Sequence, residues 1–123
     1  MTTAPDQPAL EAALRAAGVV WVDLGEGPRV AWHLWHDGAV WLVCGGLEQD
    51  LPGAGTAQRA EVSVRSDAGP LTFSADVRRV GPGSPEWASV VPVLHEKRLN
   101  PPDGEAQPDR WARESLVLRL APR

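Results

Sequence analysis

The chain has 123 residues, a net charge of −4, one cysteine, and six tryptophans beside no tyrosine. That length holds a single domain, 1–123, which buries roughly two thirds of the surface its unfolded form exposes, and a lone Cys44 excludes an internal disulfide and points to a reducing, cytoplasmic setting. Acids and bases are interspersed without the basic stripe that a nucleic acid needs, and no apolar run approaches the ~20 residues of a membrane span or the core of an export signal.

In chain order, residues 7–17 read as a helix. Asp6 caps its start, Leu10, Ala13, Leu14 and Ala17 recur at helical spacing, and Gly18 ends it. Val19 to Leu24 is a β-branched strand that leads into the turn Gly25-Glu26-Gly27-Pro28. Arg29 to His36 and Ala39 to Cys44 flank Asp37-Gly38, the dipeptide of a two-residue type I′ hairpin. That turn sets Leu34 opposite Trp41 and Trp32 opposite Val43. One face of the hairpin then carries Val30, Trp32, Leu34, Trp41 and Val43, and the other carries Ala31, His33, Trp35, Val40, Leu42 and Cys44. Both are apolar, so one fills a core while the other meets a helix, a subunit or a ligand.

Residues 45–59 form a long loop containing four glycines and one proline, of a length that points to function. A second hairpin follows, with Val62 and Val64 inward on one strand and Leu71, Phe73, Ala75 and Val77 on the next. Ser84-Pro85-Glu86 opens a helix striped by Trp87, Val90, Val91 and Leu94, which Pro92 is expected to kink or split. Asn100 to Asp109 reads as a polar loop, and Glu114 to Leu120 as a closing strand.

Few residues point to chemistry. His33 and His36, three apart on a strand, face opposite ways and cannot share an ion; no metal site is expected. Cys44 lies diagonal to His33, but nothing else of a nucleophilic site accompanies them, and a buried inert thiol is the simpler reading. Trp35, beside His33, is placed either to stack on a flat ligand or to anchor a dimer, with plain core packing as the alternative. Arg110, Trp111 and Arg113 put two guanidinium groups around one aromatic ring. They are read either as a grip for phosphate or carboxylate, or as a solvated strand start paired with Asp109 and Glu114.

The order helix, strand, two hairpins split by a long loop, helix and strand, together with the ending Arg119-Leu120-Ala121-Pro122, resembles the pyridoxamine-phosphate-oxidase-like family of FMN-binding split barrels. The resemblance implies a mainly β (α+β) fold, a small antiparallel six-stranded split barrel with peripheral helices. It also implies a homodimer with flavin sites between subunits, and hydroxyl and basic residues gripping a phosphate after the third strand. In this chain that place reads Gly45-Gly46-Leu47-Glu48-Gln49-Asp50, with acids in place of cations. The expectation is a homodimer binding FMN or the deazaflavin F420 through Trp35, His33, Arg110, Trp111 and Arg113, as a small planar or phosphorylated ligand, in an oxidoreductase role if it is an enzyme. Its rival is a non-catalytic binding or structural dimer with no cofactor.

Overall fold

The computed structural model describes residues 6–98 and 101–123. The first five residues of the polar start and Asn100 of the expected loop lie outside them. Helix α1 spans Gln7–Ala16, and Asp6 accepts a hydrogen bond from Ala9 N at its start. Seven strands follow one another as β1 (Val19–Asp23), β2 (Pro28–Trp32), β3 (Leu34–His36), β4 (Ala39–Cys44), β5 (Arg59–Ser66), β6 (Gly69–Val80) and, after two helices, β7 (Leu116–Pro122). All pairings are antiparallel, in the order β2-β1-β5-β6-β7-β4-β3.

The first and last strands of that order are consecutive in the chain, with only His33 between them. The sheet must therefore curl until its two ends come together, which makes a barrel with a seam at His33. The count of seven, against the expected six, arises here: the run Arg29 to His36 is broken at His33 so that its halves serve opposite ends of the sheet. Asp37 and Gly38 both take positive φ, 51° and 70°, in the hairpin turn, and Leu34 pairs with Trp41 as the turn dictates. The expected pairing of Trp32 with Val43 does not form. Instead the Gln49 carboxamide accepts from Trp32 N at 2.9 Å and donates to Trp32 O and Val43 O at 3.1 and 3.0 Å. It replaces a missing rung of the ladder.

Apart from the exposed Val30, the apolar residues on both faces of the hairpin are covered or partly covered within the chain. Trp35, Val40, Leu42 and Cys44 point into the barrel beside Val20, Val62, Phe73 and Leu118, and α1 closes that core with Leu10 and Leu14. Trp41 and Val43 lie on the other side in a second core, under helix α2 (Pro85–Lys97) and helix α3 (Gln107–Glu114). Ser84 caps α2 by accepting from Trp87 N, and the helix runs through Pro92 without splitting. Proline removes the bond to the Ala88 carbonyl, but both residues lie on the exposed side, where water can replace it. The polar stretch read as a loop is partly helical, a 3₁₀ turn over Gly104–Ala106 followed by α3. The long loop is structural along much of its length: Leu51 and Ala54 are buried in the barrel core, and Arg79 donates to Ala54 O and Ala57 O.

Candidate functional site

Four of the five residues expected to hold a ligand are buried in the subunit itself. Trp35 is 8% exposed and packs in the barrel interior, with no face left for a planar molecule or a second subunit. His33 is fully buried at the seam, where its Nε2 bonds Leu14 O at 2.8 Å. Leu14 belongs to the last turn of α1, so this imidazole supplies a donor to a carbonyl that the helix leaves unpaired. Trp111 lies in the helix-covered core, and Arg110, one residue before it, points into an ion-pair cluster. Arg113 alone reaches solvent. The pairs expected for this segment, Asp109 and Glu114, are replaced for Arg110 by Asp103 and Glu48, because the segment is a helix and turns Arg110 away from its sequence neighbours.

Cys44 Sγ faces Leu116 O at 3.9 Å, and burial pushes its thiol up to about 11. A thiol so rarely ionised at neutral pH is a poor nucleophile. Burial lowers the pKa of His33 and outweighs the opposing effect of the Leu14 bond. Cys44 and His33 thus bond different backbone carbonyls and do not form a catalytic pair. Among the described residues no group of three or more His, Cys, Asp or Glu is placed to hold a metal, and no helix is long and apolar enough to cross a membrane.

The acids after the third sequence strand divide in two. Asp50 is exposed. Glu48 has no exposed side-chain surface; Arg98 Nε donates to its Oε1 at 2.8 Å, and both terminal nitrogens of Arg110 donate to its Oε2 at 3.2 Å. Arg110 also donates to both oxygens of Asp103, and that bond holds the Asp103 carboxyl below its ordinary range. The grip expected of Arg110 and Arg113 around Trp111 does not form; Arg110 converges instead with Arg98, and a carboxylate of the same chain lies between them.

The accessible candidate surface lies on the outside of β1, β2 and β5. Strand alternation that sends Val20 and Val22 inward turns Val19 and Trp21 outward, and the register sets Trp21 between Val30 and Ser63. Val30 is 54% exposed and Val19 39%, so this is an apolar strip on an otherwise polar face. Beside it, Trp21, Ser63, Arg65, Ser66, Asp67 and Pro70 line an open concavity of about 510 Å³. It offers a flat indole, a cation and hydroxyl groups together. Sequence reasoning passed over Trp21 for the more densely apolar hairpin; the available signal was a tryptophan at an outward position of a strand whose inward positions are all valine.

No family model matches the chain, and no curated protein does. Solved structures do. The heme storage protein HutZ from Vibrio cholerae superposes with a TM-score of 0.64 at 14% identity, over 95% of this chain and 89% of that one. A putative 5-nitroimidazole antibiotic resistance protein from Bacteroides thetaiotaomicron gives 0.60 at 13%, over 95% and 80%. A NimC/NimA family protein from Clostridium acetobutylicum gives 0.54 at 18%, over 93% and 78%. The fold shared with these proteins is a split barrel, here an antiparallel α+β half-barrel with three helices. At such identities the likeness extends to the fold and no further.

Proposed function

We propose that the chain is a homodimeric binding protein for a flat, conjugated small molecule, a flavin, deazaflavin or porphyrin, held at the concavity beside Trp21. The observation that carries this reading is the outward Trp21 standing next to Arg65 and two serines, at the edge of the apolar strip of Val19 and Val30. An indole face stacks on a ring system, and a guanidinium suits the acidic groups that such ligands carry. The strip beside it fits a second copy of the same surface, which would bury the valines and wall the ligand. The split-barrel neighbours support a ligand-binding role, one of them being a heme storage protein. If the chain is an enzyme, such a cofactor would supply the redox chemistry of an oxidoreductase.

A second reading, a structural dimer without cofactor, is favoured by one observation: Arg98 and Arg110, which lie against the expected phosphate position, are already paired with Glu48 and Asp103. Titration with FMN, F420 and hemin, following tryptophan emission and visible absorbance, separates the two. The first reading predicts saturation near one ligand per subunit with at least one of them, and loss of at least tenfold in affinity in Trp21→Ala. Flat titrations with all three at high micromolar concentration contradict it and leave the second.

A further inference from the structure

Arg98 at the end of α2 and Arg110 within α3 close on one carboxylate that has no exposed surface, through one bond of 2.8 Å and two of 3.2 Å. Residues 48, 98 and 110 are brought together by the fold rather than by a local turn. Arg110 is shared between Asp103 and Glu48, and Glu48 also accepts from Arg98. Convergent guanidinium groups of this kind are how proteins take up the carboxylate or phosphate of a ligand. The anion here arrives on a short turn in which Gly45 N–H donates to Gln49 O, and Gly45 and Gly46 both take positive φ.

We propose that Arg98 and Arg110 form a buried anion site that the protein keeps occupied with its own Glu48, which thereby excludes the carboxylate or phosphate of a small molecule from this position. Once Glu48 is shortened, the site takes a small carboxylate or inorganic phosphate, because the buried Arg110 then loses one of its two carboxylate partners in a space lined by its own guanidinium and that of Arg98. The inference goes beyond the ligand reading, and its test uses no flat ligand.

Glu48→Ala removes a fragment the size of acetate. Melting temperatures are compared in acetate, phosphate and chloride at equal ionic strength. The variant is expected to melt below the wild type in chloride and to recover about 4 °C or more in about 100 mM acetate, while the wild type does not respond. Should the variant not fold in chloride, its refolding yield is read instead, and recovery confined to acetate or phosphate supports the site. Glu48→Gln, which fills the same space without charge, should be destabilised without regaining stability in acetate. Equal responses of Glu48→Ala and wild type, equal responses of Glu48→Ala and Glu48→Gln, or refolding indifferent to the anion each overturn the proposal.

Discussion

Gln49 satisfies three backbone groups at once, the N–H and C=O of Trp32 and the C=O of Val43, where the barrel's ladder is interrupted beside His33. A side chain in that role has no equivalent substitute. Gln49→Ala leaves all three groups short of a partner and is expected to cost about 2–4 kcal/mol, each net bond contributing roughly 1 kcal/mol. Gln49→Glu should do no better, since a carboxylate accepts from Trp32 N but faces two carbonyl oxygens it cannot donate to. Urea titration of both variants checks this, and a loss below about 0.5 kcal/mol in Gln49→Ala would mean the seam does not need the stitch. The sequence offered no sign of this role. Gln49 lay in a loop whose glycines and acids drew attention to phosphate chemistry, and a backbone-mimicking amide has no spacing to recognise.

At the scale of elements, α1 is fastened to the barrel by Leu10 and Leu14 and by the bond of His33 to Leu14 O. With Nε2 donating, Nδ1 is left buried with no partner among the described residues, so a second proton there has no acceptor. Burial, with a smaller contribution from Lys97, places the folded-state pKa of His33 below its ordinary 6.5. The sign follows directly. The unfolded chain takes up a proton below about pH 6.5 that the folded chain refuses, so stability is full above that pH and declines as the pH falls toward the folded value, by at most about 1.4 kcal/mol per unit. Asp103, also depressed, acts only near or below its ordinary 3.8 and stays outside this window. Unfolding free energies at pH 7.5, 6.5 and 5.5 should fall more steeply in the wild type than in His33→Gln, which retains a donor without titrating; parallel slopes would contradict the role given to His33.

The elements also show which patterns carried information. The Asp-Gly turn specified its hairpin down to the pairing of Leu34 with Trp41, since positive φ at two adjacent residues admits few alternatives. The β5–β6 hairpin followed from strict alternation, with Val62 opposite Phe73. Helix α3 was missed because its eight residues hold one large apolar side chain, Trp111, too few for a stripe to register. With the helix unrecognised, Arg110 and Arg113 looked like neighbours on one strand, whereas the structure buries the first against Glu48 and leaves the second in solvent.

For the whole molecule, the two-sided apolar hairpin was the main argument for a partner, and the fold removes it. The barrel covers the Trp35 face and the helices cover the Trp41 face except at Val30, so the rest of the hairpin asks nothing of a second subunit. That the break falls at His33 depends on the sheet's closure, a long-range property that no local pattern of residues 29–36 expresses. Any case for assembly moves to the outside of β1 and β2, where Val19, Trp21 and Val30 are incompletely covered. Those positions can be altered without touching either core. The most direct measurement is the mass by light scattering of the wild type and Val30→Asp, with thermal melts of both. The account predicts a wild type at twice the 13.2 kDa of the chain and a variant at 13.2 kDa that still melts cooperatively. A monomeric wild type, or a folded variant that keeps the dimer mass, would contradict it.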